Sequence, residues 1–484
     1  MKPRVKNSDQ INPLWLVAAI GLLLSAFCFL ANLSLIIPLI LLFLGVYLAY
    51  FKKASLRLFL NLGLLLALLI FIVHSFNQYT TFSYFYIPVA GIAMLAILLY
   101  NDIQIAFIMA LISSLVTGLM IGGDFQLSLV FLVGSFMAIF SVREARTRGH
   151  LITAGLFIGG VQFLGAILLN PSIISLPPDI AFPSRVSLNH LLWLSDIWNY
   201  LKPLFFNGFI CAGLAIAVSI IFESIFGVLT NFRLLELADF NQPLLKRMIL
   251  EAPGTYHHSL VVSNLSEAAA NAIGANALLT RVGAYYHDIG KLVKPEYFNE
   301  NQIQDGDGNK HDNLEPNMSR LVILNHVKEG VELAKQYKLN QQIIDFIPQH
   351  HGTSLIFYFY QRALEDQDGQ GEVKEEAFRY PGPKPQNKET AITLLADSVE
   401  GASRSLDEPT PSRIDELVRK VINNKFIDGQ LDECDLTLKD LERISATFSR
   451  VLSAMHHSRV KYPEKKNGNG HHDKKSSDSN SDTP

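Results

Sequence analysis

Residues 283–292 read GAYYHDIGKL, so a helical run ends on adjacent His287 and Asp288, with Lys291 one turn further on. Two different features show this pattern. One is an ordinary helix terminus with polar caps, and the other is the centre of a metal site, because imidazole and carboxylate groups bind divalent metals. The membrane layout and the other histidines decide between them.

The composition excludes several classes of protein. The chain has 484 residues, of which 49% are hydrophobic, and a formal net charge of −3. This length leaves room for two or three domains, and the composition is too apolar for a soluble enzyme. The charge gives no basic field for a nucleic-acid polymer. Cys28, Cys211 and Cys434 form neither a disulfide framework nor a cysteine-based zinc spacing.

Long apolar runs before about residue 229 predict a transmembrane helix bundle, since about 18 apolar residues can cross a bilayer as a helix. We expect about eight spans, at roughly 14–31, 33–51, 56–75, 83–100, 103–121, 126–142, 150–170 and 203–228. The first two are separated only by Ala31-Asn32-Leu33-Ser34. A hairpin is favoured there over a single helix, which would far exceed the bilayer thickness.

Basic residues cluster on one side of these spans. They are Lys2, Arg4 and Lys6, then Lys52, Lys53 and Arg57, then Arg143, Arg146 and Arg148. The positive-inside rule places these clusters, and everything after residue 229, in the cytoplasm. The first run lacks a cleavage pattern, so we expect an anchor and not a removed signal peptide. The prediction is a multi-pass protein of a bacterial inner or plasma membrane, in contact with the lipid bilayer.

Two features of the membrane half bear on alternative functions, namely transport and ligand binding. Glu223 lies toward the cytoplasmic end of the last span, whereas transporters place ionisable groups near the midplane, so transport is disfavoured. The loop 171–202 carries Trp193, Trp198 and Tyr200. We expect it to be an aromatic anchor at the outer interface, with ligand binding as the alternative.

The second half has amphipathic helical patterns and no alternating strand pattern, so the fold class is all-α. Helices are expected at 319–337, 340–350, 389–405, 412–424 and 437–457, besides one that stops at Gly274 and one at 276–287. The segment 366–388 is expected to be a loop. The predicted organisation is an N-terminus at 1–13, the bundle at 14–228, a cytoplasmic helical domain at 229–463 and a disordered tail at 464–484.

Seven of the fourteen histidines lie between residues 257 and 351. A single histidine near a helix end is usually structural, but here several predicted helices begin or end on one. Asp397 also lies inside the apolar helix TAITLLADSVEGA, where an ionised carboxylate is costly unless it is paired or bound to metal. The cluster therefore favours a metal site.

Such ligands suit two divalent ions bridged by one aspartate. Two ions and two aspartates leave about +2, or about +1 with a bridging hydroxide, which attracts a phosphodiester. Lys291 could then neutralise a non-bridging or leaving oxygen. Arg404, two helical turns after Asp397, could bind a second phosphate, or be a solvated cation at a helix end.

Two segments imitate metal sites. Asp305-Gly-Asp-Gly-Asn309 resembles the start of a calcium loop, but Lys310 and Pro316 break the pattern, so a plain turn is expected. His311-Asp312 repeats the His-Asp pair without an apolar helix before it, and we do not expect a second metal site there.

These residues carry a family resemblance. His258, His287-Asp288 and Asp397 match the H…HD…D signature of HD-domain metal-dependent phosphohydrolases. Five stretches make the match closer: LLELADFNQPLLKRMILEAPGTYHHSL, RVGAYYHDIGKLVKPEYFNENQ, HVKEGVELAKQYKL, QHHGTSLIFYFYQRA and ETAITLLADSVEGASRSL. Over about residues 33–460 the chain resembles the membrane-bound seven-transmembrane HD family, the PgpH-type cyclic di-AMP phosphodiesterases.

The resemblance implies hydrolysis of cyclic di-AMP to pApA at a centre of two divalent metals, commonly iron or manganese. The implied ligands are His258, His287, Asp288, His326, His350, His351 and Asp397, with Asp288 bridging. His351 is either a ligand or a phosphate contact beside His350.

The chain also departs from the family. GTSLIFYFY after His351 lacks the Gly-Tyr-Pro element of the cyclic di-GMP branch, which favours the adenine dinucleotide. The large extracellular domain expected after the first span is replaced by Asn32–Ser34, so the bundle is expected to tether the enzyme, to assemble it as a homo-oligomer or to sense something within the membrane. The rivals are an HD hydrolase for cyclic di-GMP, a guanosine polyphosphate or a dNTP, and a nucleotide-binding membrane receptor without turnover.

Overall fold

The computed structural model describes residues 36–50, 56–143, 145, 147–169, 188–302, 310–365 and 373–457. These residues contain helices and no strand, apart from one isolated bridge between Leu355 and Arg379. The all-α fold is confirmed. The chain divides into two compact units, one comprising residues up to Ser259 with Arg281–Pro348, the other comprising Leu260–Thr280 and the residues from Gln349 onward.

The first unit contains the apolar helices. Helices α1 to α7 run over Ile36–Tyr50, Leu56–Tyr79, Val89–Tyr100, Ile103–Met120, Phe125–Val142, Arg148–Leu169 and Leu188–Phe226. In the described residues, five segments are long and apolar enough to cross a membrane: Leu58–Tyr79, Ile103–Met120, Phe125–Val142, Arg148–Leu169 and Ile197–Phe226. The predicted spans 33–51 and 83–100 form shorter apolar helices. The predicted span 14–31 and the whole of the turn at 31–34 lie outside the described residues.

Helix α3 lies inside the bundle. Its residues Val89–Leu99 are all buried, because helices α2, α4, α5 and α7 pack against it. Pro88 precedes it, so the predicted span 83–100 is divided into a short 3₁₀ turn at Tyr84–Tyr86 and this helix of 12 residues. Asn101 ends α3 at φ 49°, and Asp102 caps α4 by accepting from two backbone amides.

Glycines allow α6 and α7 to pack at very short range. A Cβ atom on Gly159 would lie 2.2 Å from the carbonyl oxygen of Phe205, and one on Gly208 would lie 1.9 Å from that of Gly155. Small residues commonly bring membrane helices together in this way, since backbone contact maximises van der Waals attraction.

Helix α7 corrects one prediction. The loop expected at 171–202 is helical from Leu188 onward, so Trp193, Trp198 and Tyr200 lie on α7, and residues 170–187 lie outside the described part. The last span was expected to begin at about residue 203, but α7 begins earlier and continues through Pro203. Membrane helices tolerate such a proline where neighbouring groups satisfy the freed carbonyl.

The polar part of the first unit contains α8 (Asn231–Leu237), α9 (Pro243–Glu251), the start of α10 (Pro253–Ile273), most of α11 (Ala277–Tyr286), α12 (Pro316–Gln336), α13 (Gln341–Ile344) and α14 (Phe346–Gln349). Short 3₁₀ turns follow α11 at Ile289–Val293, Pro295–Tyr297 and Asn299–Asn301, with another at Lys310–Asn313. The single helix predicted at 340–350 is two helices, because Pro348 cannot donate to the carbonyl of Ile344.

The second unit contains the rest of α10, together with α15 (Phe357–Glu365), α16 (Lys388–Ser403), α17 (Pro411–Ile427) and α18 (Leu438–His457). Helix α15 was not predicted. The expected loop 366–388 is described only from residue 373 and includes a 3₁₀ turn at Glu375–Phe378. The N-terminus 1–13, the Asp305–Asn309 turn and the tail 464–484 lie outside the described residues.

Candidate metal centre

The ring of His287 is fixed by its own helix. His287 follows α11 directly and is fully buried, with Nδ1 2.7 Å from the carbonyl oxygen of Ala284. A carbonyl oxygen can only accept, so Nδ1 carries the proton and Nε2 presents its lone pair. That is the tautomer a metal ligand needs.

His326, in the middle of α12, is held in the same way. Its Nδ1 lies 2.5 Å from the carbonyl oxygen of Ile323, and the residue is 1% exposed. The Nε2 atom of His326 is therefore also a lone-pair donor.

Three ligand atoms from different parts of the first unit form a small triangle. Nε2 of His287 lies 3.3 Å from Nε2 of His258, which is on the first turns of α10. Oδ2 of Asp288 lies 3.4 Å from His258 Nε2 and 3.3 Å from His287 Nε2. Ligands about 2.1 Å from one ion lie roughly 3.0–3.4 Å apart, so these three atoms could hold one divalent metal.

The other oxygen of Asp288 faces a different imidazole. Oδ1 lies 3.4 Å from Nε2 of His326, whereas Oδ2 faces His258 and His287. One carboxylate thus offers one oxygen to the imidazoles of His258 and His287 and its other oxygen to that of His326. This is the geometry that a carboxylate bridging two ions requires.

Gly290 allows this approach. A Cβ atom at Gly290 would lie 1.8 Å from the carbonyl oxygen of His326 and 2.6 Å from the amide nitrogen of Gly330. The 3₁₀ turn after Asp288 therefore packs directly on the backbone of α12, and only glycine fits at that position.

Lys291 compensates two buried carboxylates. Its Nζ lies 2.7 Å from Asp288 Oδ2 and 2.7 Å from Glu300 Oε1, with its side chain 13% exposed. Burial alone would raise the pKa of Asp288, but Lys291 and the neighbouring imidazoles hold that pKa well below its usual range. Burial would likewise lower the pKa of Lys291, and the two carboxylates raise it instead. The pair is ionised in the folded protein.

The ion pair is supported from α10. Glu300 also accepts from Thr255 Oγ1 at 3.3 Å, and Asn301 Oδ1 accepts from the backbone amide of Thr255 at 3.0 Å. Sequence reasoning missed Glu300, because an acidic residue in a polar turn gives no signal that distinguishes it from a solvated one.

The second unit holds the remaining predicted ligands, His350, His351 and Asp397. His350 is fully buried, and its ring centroid lies 3.9 Å from that of His351. His351 Nδ1 lies 3.6 Å from Asp397 Oδ2, and its ring stacks on Tyr380 at 4.1 Å. Tyr380 was also missed, since a tyrosine in a proline-rich loop carries no positional signal.

Two other predicted positions have local partners. Arg404, the C-cap of α16, directs Nε and Nη2 at Glu400 Oε1, at 2.8 and 2.7 Å. Nε2 of His311 lies 2.8 Å from the carbonyl oxygen of Tyr297. His311 does not join the metal-binding groups found among the described residues.

The donor set fits a transition-metal centre. Imidazoles that present the Nε2 lone pair, as His287 and His326 do, and an ionised aspartate suit first-row divalent ions. The four donors of the first unit, here called the metal corner, are nearly inaccessible to water; they are His258, His287, Asp288 and His326. Histidine and aspartate groups that could bind metal are therefore present, and they do not distinguish iron from manganese.

Two family models match this chain. Residues 27–230 match the family model described as 7TM receptor with intracellular HD hydrolase, and residues 255–402 match the HD domain model. The chain thus joins a match to the membrane bundle to a match to the HD domain, which is the arrangement that the first family model describes. The predicted resemblance to the seven-transmembrane HD family is confirmed, and with five helices able to cross a bilayer among its described residues the chain is a membrane protein.

Two curated relatives of this chain are both named cyclic-di-AMP phosphodiesterase PgpH. The one from Bacillus subtilis is 38% identical over 424 residues, which is 86% of this chain and 56% of that protein. The one from Listeria monocytogenes is 39% identical over 384 residues, 79% of this chain and 51% of that protein. The chain thus spans about half the length of these relatives.

A solved structure is also similar. It is the HD domain of L. monocytogenes phosphodiesterase PgpH in complex with cyclic-di-AMP, 50% identical, with all of that chain and 46% of this one covered at a TM-score of 0.43.

Proposed function

We propose that this chain is an integral-membrane, metal-dependent phosphodiesterase that hydrolyses cyclic di-AMP to pApA. The observation that carries the proposal is the Asp288 carboxylate, whose two oxygens face separate imidazole sets inside the segment that matches the HD domain. The names of the two curated relatives support the substrate.

Two divalent ions, iron or manganese, bound at this corner would supply the Lewis acidity that phosphodiester hydrolysis needs. The chain's own residues orient the ligands and shield them from water. Ala284 and Ile323 orient the imidazoles of His287 and His326, and burial excludes bulk water from around Asp288. In the reaction, water adds to phosphorus, one P–O3′ bond breaks, and the 3′ oxygen leaves with a proton.

Three further ligands complete the proposed set. We assign His350, His351 and Asp397 to the same two ions because the HD match at 255–402 includes all seven positions. His351 could instead contact phosphate, and its stacking on Tyr380 keeps the ring in one orientation for either role.

Lys291 and Arg404 are the proposed substrate contacts. Two N–H donors of the Lys291 ammonium point at Asp288 and Glu300, and a third is left for a phosphate oxygen. Arg404 would have to share its guanidinium between Glu400 and the second phosphate, which makes it the weaker contact.

We also propose that the HD half faces the cytoplasm. Arg143 and Arg148 lie at the ends of α5 and α6 that adjoin the loop 143–148, and such clusters mark cytoplasmic loops. The cyclic dinucleotide would be met there.

The test compares two adjacent histidines in the full-length protein in detergent. His258 is buried in the corner, whereas His257 is exposed. We expect His258→Ala to lose metal by elemental analysis and to abolish release of pApA, and His257→Ala to retain both. A His258→Ala variant with wild-type turnover would place the chemistry elsewhere.

Substrate and reaction class are tested with the same preparation. The metal-loaded protein is incubated with cyclic di-AMP, cyclic di-GMP, a guanosine tetraphosphate and dNTPs. Faster turnover of another nucleotide would contradict the substrate assignment. Tight binding of cyclic di-AMP without pApA release would instead support the receptor alternative.

A further inference from the structure

A cleft of about 610 Å³ lies in the first unit where the membrane helices meet the polar helices. Its walls are the start of α6, the end of α7, helix α8 and the turn that follows α12. Ile220, Phe226, Val228 and Leu339 form its apolar lining. The metal corner does not contribute to it.

The ends of α6 and α7 give the depth of the cleft in the membrane. Helix α6 begins at Arg148 and α7 ends at Phe226, and both residues line the cleft. Each is also the end of a segment able to cross a bilayer. The cleft therefore opens where hydrocarbon gives way to lipid headgroups.

The charges that line the cleft sum to one excess cation. Arg148 and Arg233 both pair with Glu236, at 3.4 and 2.9 Å. Glu223 accepts a hydrogen bond from Thr230 Oγ1. Lys338 also lines the cleft, and no carboxylate pairs with its ammonium group among the residues that the structure describes.

Lys338 stands at a backbone position that favours glycine. Its φ is 54°, and its amide donates to the carbonyl of Lys335 at 3.0 Å while Leu339 donates to Ala334 at 2.9 Å, which is the Schellman ending of α12. A lysine in this left-handed conformation costs backbone free energy that glycine avoids. The fold does not need the side chain there, so a ligand is a reasonable explanation for it.

We propose that this cleft binds the phosphate of an anionic phospholipid headgroup, with Lys338 as its principal contact. The apolar wall of Ile220 and Phe226 favours a lipid over a free phosphate ion, because it offers contact to the glycerol and the first acyl carbons. Basic pockets at this depth between membrane helices are typical headgroup sites.

The experiment is native mass spectrometry of the full-length protein in detergent, titrated with phosphatidylglycerol or phosphatidylcholine. We expect more phosphatidylglycerol than phosphatidylcholine adducts. Lys338→Gly should weaken phosphatidylglycerol binding by about five-fold, whereas Lys335→Ala, which removes an exposed charge outside the cleft, should not. Glu223→Gln should strengthen it, since it removes a repulsive charge.

A folding defect cannot imitate this result, because glycine is favoured at φ 54° and Lys338→Gly should melt no lower than the wild type. No preference for phosphatidylglycerol, or equal binding by Lys338→Gly, would overturn the proposal. Displacement of the lipid by an equal concentration of inorganic phosphate would also overturn it, in favour of a free anion. The readout is lipid binding, so it does not depend on turnover of cyclic di-AMP.

Discussion

Gly290→Ala should separate the two halves of the Asp288 corner. The new Cβ atom would lie 1.8 Å from the carbonyl oxygen of His326, and backbone atoms cannot rotate away as a side chain can. Contacts of 3.0–3.4 Å require the 3₁₀ turn to retreat from α12 by about 1.2–1.6 Å.

The displacement acts directly on the proposed bridge. Asp288 begins the turn that must move, and its Oδ1 lies 3.4 Å from His326 Nε2. A retreat of this size widens that distance to roughly 5 Å, too far for both atoms to bind one ion about 2.1 Å from each. We expect reduced metal content, and turnover lower by about 100-fold or more, since misplacement by 1 Å commonly has such an effect.

The matched control is Gly401→Ala on α16. A Cβ atom there meets nothing within 4 Å, and alanine is favoured over glycine inside a helix by about 0.5–1 kcal/mol. This variant should keep the metal and the turnover of the wild type and melt no lower than it does. Elemental analysis and pApA release are measured on both variants. Normal metal content and turnover in Gly290→Ala would refute the reasoning that the turn sets the Asp288–His326 distance.

Three further predictions concern packing and charge. Lys291→Met should lower stability in the presence of a chelator by about 3 kcal/mol, because it leaves the carboxylate of Glu300 buried without its cation; an unchanged melting temperature would contradict this. Tyr286→Phe should lower the free energy of unfolding by about 1 kcal/mol, since the tyrosine hydroxyl donates at 2.8 Å to the buried carbonyl of Leu237 in α8; thermal unfolding that matches the wild type would argue against that bond. Gly159→Ala should melt lower in detergent than Gly160→Ala, because only the first new Cβ meets a backbone atom, at 2.2 Å; equal melting would count against close packing of α6 on α7.

The helices could be predicted where local sequence determines them. Helix α10 ends one residue before Gly274, which adopts φ 73°, and α11 ends beside the His-Asp pair, as the pattern indicated. Two of the errors fall at prolines. Pro203 lies inside α7, where a start was expected, and Pro348 divides the helix expected at 340–350 because it cannot donate to the carbonyl of Ile344. The effect of a proline depends on which group satisfies the carbonyl four residues before it, and the sequence alone does not give that group.

The chemistry of the metal corner could be predicted from the residue types, but its geometry could not. Histidine and aspartate residues at helix ends indicated a metal site. The pairing of Lys291 with Glu300 could not be predicted, because Glu300 reaches Lys291 only through the packing of a polar turn on α10. Gly290 was quoted in the motif without a role. Its requirement for glycine arises from a backbone on another helix, 1.8 Å from where a side chain would begin.

The helix that follows the membrane bundle is in direct contact with the helix that carries His287. Helix α8 follows the last membrane helix, and the carbonyl of Leu237 at its end accepts from Tyr286, the residue before His287. Phe240 then contacts Tyr285 edge-on at 5.2 Å. A movement of α8 must therefore break a buried hydrogen bond or move the helix end that carries His287. Helix α8 and the end of α11 that carries His287 therefore move together for as long as these two contacts hold.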